Sequence, residues 1–273
     1  MIIKRGNHTS AFSKKYRGKA LEHRKERDRT FSRRSLHGQV ALDIGRRIVA
    51  GEIEEGATLA NEETASREWM VSRTAYREAI KVLTAKGLVE SRPKTGTRVR
   101  RRVEWNMLDP DVLLWASETE TTTEFADALF EFRLIIEPGA VRLAARKQLP
   151  EPLFELKAAM ERMESTPPQS QENMDADLAI HEAILRASGN ELFTSLGHVV
   201  ESLLARSFEI SSRRPSVREA SIPLHRVVCD FIMNGDERNA EKAMERLLRS
   251  AREDIDEIVT HETTNEHRNA DRE

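Results

Sequence analysis

The stretch that decides the fold of this chain runs from Leu59 to Arg98 and reads LANEETASREWMVSRTAYREAIKVLTAKGLVESRPKTGTR. It predicts a short helix around Thr64, a turn at Met70, a second helix and a glycine-tipped hairpin. Helix, turn, helix and hairpin in this order are typical of a winged helix-turn-helix. Because such a unit places its second helix in the major groove of DNA, the rest of the chain is expected to control DNA binding.

The second helix is defined by its cap and by the spacing of its side chains. Ser72 is predicted to cap it, because the hydroxyl can accept from a free N–H of the first turn. Arg73 and Arg77 are four residues apart and share a face, where a guanidinium can pair with phosphate or read guanine O6 and N7. The apolar stripe is Ala75, Ala79, Ile80 and Leu83. The residues predicted to contact DNA are Arg73, Thr74, Arg77 and Lys81.

The hairpin after this helix is predicted to be the wing. Gly87 stands where a helix C-cap is expected, residues 88–90 and 97–99 have the character of strands, and residues 93–96 form the turn. The predicted DNA contacts at the tip are Lys94, Thr95 and Gly96. The alternative interpretation is a solvated basic helix beside an ordinary hairpin.

Length and charge are typical of a two-part soluble protein. A chain of 273 residues is long enough for two domains with cores of their own. The net charge of −2 conceals a division, because residues 1–102 hold 25 Lys and Arg against 12 Asp and Glu, and residues 103–273 hold 19 against 34. The basic half is suited to a polyanion partner and the acidic half is not.

The remaining composition excludes several classes of protein. One cysteine, Cys229, excludes an internal disulfide framework and favours a reducing compartment. No apolar run has the length of a membrane span and no secretory signal is present, so a cytoplasmic protein without a membrane partner is expected. Residues 1–35 are expected to form a mostly disordered basic arm. The arm either adds salt-sensitive affinity for DNA phosphate or is a solubilising tail or a wrongly assigned start.

The whole fold is predicted to be mainly α. The winged helix-turn-helix is expected over residues 36–102, with a linker near Arg102 whose flanking Trp105 and Trp115 either pack the domains together or fill a core. Residues 103–262 are predicted to form a bundle of six or seven antiparallel helices, and residues 263–273 a frayed tail. The predicted breaks between helices are at Pro150, Pro167–Pro168, Gly189–Asn190, Arg214–Pro215 and Gly235–Asp236.

These two parts together resemble a known family. A winged helix followed by a helical bundle is similar to the GntR transcription regulators, specifically the FadR subgroup with its FCD effector domain, over residues 36–260. The segment Trp105–Trp115 further resembles the one after the wing in galactonate operon repressors. The motifs that carry the family resemblance are Val71-Ser72-Arg73-Thr74, Arg77-Glu78-Ala79, Lys86-Gly87-Leu88-Val89, Phe132-Arg133-Leu134-Ile135-Ile136-Glu137-Pro138, Asp177-x-x-x-His181, Ser188-Gly189-Asn190 and Leu224-His225.

An Asp-x-x-x-His pair marks the candidate site in the helical part. Asp177 and His181 are one turn apart on one helix face. The family's metal site uses such a pair with two further histidines, so the resemblance implies His225 as the third ligand and places the fourth at Leu247, which cannot ligate. A divalent metal, zinc or similar, is therefore expected with three protein ligands and open positions. The alternative is direct contact of both histidines with an effector.

The expected effector is a small organic acid. Arg133 stands on an otherwise apolar helix, where it needs a partner if buried, and its planar fork suits a carboxylate. Glu137 is either that partner or a surface charge. The resemblance points to a sugar acid such as D-galactonate. The residues expected to contact it are Arg133, Asp177, His181 and His225.

The resemblance implies a homodimeric repressor that binds a near-palindromic operator in double-stranded DNA and is released by the acid. Glu63 departs from the family, which usually has a DNA-contacting arginine there, so a different operator is expected. Open alternatives are an activator, or a lactate, dicarboxylate or hexuronate effector. A metal-dependent hydrolase at the Asp177 site is a further alternative, but no neighbouring residue stands out as a general base, and no enzyme is expected.

Overall fold

The computed structural model of the protein describes residues 35–92, 96–119, 123–211 and 214–270. The chain divides into two compact units, Met1–Glu120 and Thr121–Glu273. Residues 1–34 of the predicted basic arm and the wing-tip residues Lys94 and Thr95 lie outside the described residues. The prediction of a mainly α fold is confirmed, since the one sheet among the described residues has two strands.

The first unit has the predicted order of helix, turn, helix and wing. The two strands of the wing pair antiparallel, with Val89 opposite Val99 and Arg92 opposite Gly96. A 3₁₀ turn over Arg102–Glu104 follows the wing. The elements are α1 (Leu36–Val49), α2 (Glu62–Glu68), α3 (Arg73–Ala85), β1 (Val89–Arg92), β2 (Gly96–Val99) and α4 (Pro110–Thr119).

The start and the buried face of α3 follow from its sequence. The Ser72 hydroxyl accepts from the backbone N–H of Ala75 at 3.1 Å, as predicted. Tyr76 belongs to the buried stripe in place of the predicted Ala75, because its ring is enclosed and its hydroxyl donates to the Ala60 carbonyl at 2.9 Å. The buried side chains of α3 are Tyr76, Ala79, Ile80 and Leu83.

The segment after the wing folds onto the first unit. Helix α4 packs on α1, where a Cβ on Gly45 would lie 2.3 Å from the Trp115 ring, so glycine is needed for this approach. The sequence placed a linker near Arg102, whereas residues 103–120 belong to the first unit in the structure. The reason is burial, because Trp105 and Trp115 are 8% and 0% exposed. Both rings fill the core of one unit.

The second unit is a bundle with seven helices in its described part, and its breaks lie where the sequence predicted them. Pro150 and Pro215 open helices, where a missing N–H costs nothing. Gly189 and Gly235 end helices with φ values of 57° and 72°. The helices are α5 (Thr123–Lys147), α6 (Pro150–Ser165), α7 (Gln171–Ala187), α8 (Glu191–Ser195), α9 (Gly197–Ser211), α10 (Pro215–Met233) and α11 (Glu237–Ala270).

Helix α7 is the centre of this bundle, packed against α5, α6 and α9. Its buried face includes two polar residues of the candidate site, Asp177 and His181. Helix α11 continues to Ala270, past the point where the sequence predicted fraying, since no Pro or Gly interrupts its hydrogen bonds. Over the parts of the chain described, every helix is too short or too polar to cross a membrane.

Candidate functional site

The residues predicted to contact DNA lie on the solvent-facing side of α3. The side chains of Arg73, Arg77 and Lys81 are 63%, 57% and 65% exposed, and Thr74 is exposed beside them. This follows from the burial of Tyr76 and Leu83 on the opposite face. Three cations are therefore exposed to solvent on one side of the helix, where a polyanion can approach them.

The wing stands next to this helix. Gly87 ends α3 with a φ of 75°, and a Cβ there would lie 2.9 Å from the Glu104 carbonyl oxygen, so glycine is required. Gly96, the one predicted wing-tip contact among the described residues, opens β2 with a φ of 83°. Its missing side chain leaves the backbone accessible at the edge of the described wing.

A buried ion cluster ties the end of α3 to the start of α4. The Lys86 ammonium, 1% exposed, donates to Asp109 Oδ1 at 2.8 Å and to Asp111 Oδ2 at 2.8 Å. Asp109 Oδ1 also accepts from the backbone N–H of Val112 at 3.2 Å, and so caps α4. This cluster was not predicted, because partners more than twenty residues apart leave no local pattern in the sequence.

In the second unit, the four predicted effector-site residues line one cavity. Arg133 comes from α5, Asp177 and His181 from α7, and His225 from α10, and all four side chains are buried. The cavity is partly open to solvent. Its apolar lining includes Leu204, Phe208, Val217, Leu224, Leu247 and Leu248.

The two histidines and Asp177 converge on one point. His225 Nε2 lies 3.1 Å and His181 Nε2 lies 3.4 Å from Asp177 Oδ1. One ligand atom from each residue lies within 4.8 Å of the others, so the three can hold one metal ion. Leu247 lines the same cavity, so the family's fourth ligand position is apolar here.

The hydrogen bonds of both imidazoles direct their Nε2 lone pairs towards Asp177. His225 Nδ1 lies 2.8 Å from the Ser221 carbonyl, which only accepts, so Nδ1 carries the proton. His181 Nδ1 lies 2.6 Å from Glu137 Oε2 and donates to it. Anchoring the far ring nitrogen on a carboxylate or carbonyl is the usual arrangement of a metal-ligating histidine.

The surroundings of Asp177 Oδ1 indicate whether a cation fits between Asp177 and the two histidines. This oxygen is buried and makes no hydrogen bond to any described residue. Burial alone would raise the pKa of Asp177, but the charge of a protonated His225 and that of Arg218 outweigh it and hold that pKa well below its usual range. A carboxylate oxygen that faces two imidazole lone pairs is repulsive unless a proton or a metal lies between them.

Glu137 is a buried partner and not a surface charge. Arg133 Nε donates to Glu137 Oε1 at 2.5 Å, so Arg133 has the partner that its burial requires. Although burial acts to raise the pKa of Glu137, the charges of Arg133 and His181 lower it to about 2. Burial acts to lower the pKa of His181, but the Glu137 charge raises it overall.

Arg218 is a cavity residue that the sequence analysis missed. Its Nη1 donates to Asp177 Oδ2 at 2.9 Å and its Nη2 to Asn173 Oδ1 at 2.9 Å. Its Nε is buried and has no partner among the described residues. Arg218 lies seven residues, or two helical turns, before His225, so both lie on one face of the helix. This spacing could have identified Arg218 from the sequence.

The lining of the cavity also includes hydroxyl groups and a carboxyl group. Helix α11 contributes Ser250 and Asp254, one turn apart, to the lining. Burial raises the pKa of Asp254, and the nearby charges of Glu257 and Glu253 raise it further. The cavity thus has hydroxyls and a further carboxyl in its lining besides the buried arginines, histidines and Asp177. The serines in the lining are Ser207, Ser211, Ser221 and Ser250.

Two family models match the chain. The model of bacterial regulatory proteins of the gntR family matches residues 36–99, and that of the FCD domain matches residues 128–250. The transcriptional regulator YieP of Escherichia coli strain K12 is 33% identical over 221 residues, 80% of this chain and 95% of that protein. The galactonate operon transcriptional repressor of the same strain is 30% identical over 225 residues, 81% and 97% of the two chains.

A solved structure shows the same fold. Lar, which controls the expression of the Listeria monocytogenes agr system, matches with a TM-score of 0.56. The match is 20% identical in sequence and covers 83% of this chain and 98% of that one. At this identity the likeness supports the fold alone.

Proposed function

Since this chain belongs to the GntR family of bacterial regulatory proteins, with an FCD domain after its winged helix, it is a ligand-responsive transcription regulator, and we propose that it is a repressor released from its operator by a sugar acid. The family models and named relatives are regulators and not enzymes, so the hydrolase alternative is not pursued. The observation that carries the proposal is the buried cluster of arginine, histidine and aspartate side chains that lines the cavity in the second unit.

We infer that Asp177, His181 and His225 hold a divalent metal there. The donor set of one carboxylate and two imidazoles suits zinc or a similar ion, and the unpaired Asp177 Oδ1 supports the fit. When bound, the ion would supply a Lewis acid for an effector carboxylate. Leu247 leaves the cavity side without a fourth protein ligand, and so leaves room for the effector.

Once the buried cluster holds a divalent ion, its charges favour an anion. With neutral imidazoles, the two arginines, Arg133 and Arg218, balance the carboxylates of Glu137 and Asp177, so a divalent ion would leave two uncompensated positive charges. A carboxylate compensates part of this charge in a low-dielectric site. The unpartnered Nε of Arg218 offers a further donor to it.

The hydroxyls and the carboxyl in the lining favour a polyhydroxy acid. Four serine hydroxyls and Asp254 line the cavity with acceptors and donors. Leu247 and Asp254 are seven residues apart on α11, which is about 10 Å at the helical rise. A hexonate spans such a distance with a carboxylate at one end and hydroxyls along its length, whereas lactate has a single hydroxyl. The similarity to a galactonate operon repressor agrees with D-galactonate.

On the DNA side, we propose that Arg73, Thr74, Arg77 and Lys81 contact the major groove and its phosphates. Lys94, Thr95 and Gly96 contact the DNA from the wing. The protein acts as a homodimer, because two-fold symmetry matches two half-sites of a palindromic operator. The acid must favour one arrangement of the dimer over the other, since a ligand without differential affinity shifts no equilibrium.

The proposed function is tested by measuring whether the acid releases the protein from its operator. Wild-type protein selects an operator from a random DNA pool, and fluorescence anisotropy follows that complex during titration with D-galactonate at fixed salt. We expect release by D-galactonate and none by gluconate, and Asp254→Asn should require more galactonate because it loses an acceptor. Tight binding that persists at saturating D-galactonate would reject this effector, and lactate, dicarboxylates and hexuronates would be tested next. The position of the operator relative to the promoter separates a repressor from an activator.

Replacing Arg77 with Ala should weaken operator binding by roughly ten- to a hundredfold, because a good bidentate base contact is worth about 1–3 kcal/mol. The affinity for the acid should not change, since Arg77 belongs to the other unit. Anisotropy measures the first and calorimetry the second. The matched control is Arg142→Ala, which removes an exposed arginine from the second unit. If a folded Arg77 variant lost DNA binding and acid binding equally, the proposal that one unit binds DNA and the other binds the acid would be contradicted.

A further inference from the structure

The arginines proposed to read DNA are paired with glutamates of the preceding helix. Arg73 lies 4.0 Å from the carboxylate of Glu63, and Arg77 lies 3.6 Å from that of Glu62. We propose that Glu62 and Glu63 are specificity-determining residues, which hold the two arginines and lower the affinity of α3 for DNA phosphates of arbitrary sequence. This inference rests on the proposed DNA-binding role of α3.

The two helices carry no net charge between them. Helices α2 and α3 contain four basic and four acidic residues, although residues 1–102 as a whole have an excess of thirteen positive charges. The excess of positive charge therefore lies outside these two helices. The basic residues are Arg67, Arg73, Arg77 and Lys81, and the acidic residues are Glu62, Glu63, Glu68 and Glu78.

The pairs are weak enough to exchange. All four side chains are about half exposed or more, so water and salt screen the attraction within each pair. Glu63 is shared, because Arg67 also donates to it at 2.8 Å. A stronger partner can therefore take Arg73 or Arg77 from its glutamate without unfolding the unit.

Operator and arbitrary DNA differ in what they offer these arginines. Non-specific affinity comes from neutralising phosphates with unpaired cations, and an arginine beside a glutamate brings no net charge to that interaction. A guanine in the groove offers two acceptors in the geometry of the guanidinium fork. The glutamates therefore weaken binding to arbitrary DNA more than binding to the operator, which increases the ratio between the two affinities.

The test compares the double variant Glu62→Gln/Glu63→Gln with the control Glu68→Gln. The control removes a charge from the same helix, and among the described residues Glu68 forms no ion pair with Arg73 or Arg77. Anisotropy on a short random-sequence duplex over a range of salt should show roughly tenfold tighter binding of the double variant at low salt. For the double variant, the slope of log affinity against log salt concentration should be steeper by about two. This corresponds to about 0.9 for each arginine that becomes available to neutralise a phosphate. The Glu68 variant should change affinity less than about twofold per charge.

Two further measurements decide between pairing and general repulsion. Affinity for the operator selected by the wild type should rise less than affinity for the random duplex, so the ratio should fall. In an Arg73→Ala/Arg77→Ala background, the glutamate substitutions should lose most of their effect. Persistence of the full effect in that background, or an equal effect per charge at Glu68, would overturn the inference. Failure of the wild type to bind any duplex at low salt would instead overturn the proposed function.

Discussion

Replacing Lys86 with Met is expected to destabilise the first unit by about 3–5 kcal/mol, the usual cost of removing one partner from a buried ion pair. The Lys86 ammonium is the cation that Asp109 and Asp111 share, and all three groups are buried. Without it, two carboxylates stay in a low-dielectric interior and must be protonated, hydrated or exposed. Urea unfolding followed by tryptophan fluorescence measures the effect, since all three tryptophans of the chain belong to the first unit.

The matched control is Lys81→Met, which removes an exposed lysine from the same helix and should change stability by no more than about 0.5 kcal/mol. Adding Asp109→Asn and Asp111→Asn to Lys86→Met should recover part of the loss, because the amide oxygen keeps the cap of α4 and no charge stays unpaired. A Lys86 variant as stable as the wild type would show that the cluster contributes nothing to the docking of α4.

The second large effect concerns Asp177. In protein stripped of metal and titrated with Zn²⁺ by calorimetry, Asp177→Asn is expected to bind the ion more than about a hundredfold more weakly than wild type. It removes a charged ligand outright, whereas loss of an outer hydrogen-bond partner typically costs about ten- to a hundredfold. The reason lies in Asp177 Oδ1, whose buried charge faces both imidazole Nε2 atoms and has no hydrogen bond of its own.

Glu137→Gln is the matched control, because Glu137 holds the far nitrogen of His181 without facing the ligand position. Its loss of Zn²⁺ affinity should be the smaller of the two. Circular dichroism checks that both variants keep their helices, since Asp177 also pairs with Arg218. Zn²⁺ binding of equal strength in the wild type and Asp177→Asn would exclude this site as the place where the metal binds.

Several features of the site were predictable because they depend on local spacing. An aspartate and a histidine four residues apart share a helix face in any packing, and so Asp177 and His181 meet. The exposed positions of Arg73 and Arg77 follow in the same way from the apolar stripe opposite them. The third member, His225, was placed by family resemblance, and the structure brings it to the same point.

Other features of the site could not be predicted from the pattern of residues in the sequence. Arg133 was expected to bind a carboxylate of the effector, yet its fork already holds Glu137 in the protein itself. Arg218, which faces Asp177 from another helix, was not singled out at all. An arginine on an amphipathic helix has the same local signature whether it ends in solvent or against a buried acid, because the partner comes from elsewhere in the chain.

The sequence by itself determined the breaks between the bundle helices, the winged helix-turn-helix, the bundle and the family, because capping, periodicity and turn residues act over a few neighbouring positions. Only the tertiary structure decided which charges share a buried environment. Lys86 meets Asp109 across 23 residues of chain, and Arg218 meets Asp177 across 41. Such pairs form because packing removes both groups from water and leaves each as the other's nearest compensating charge.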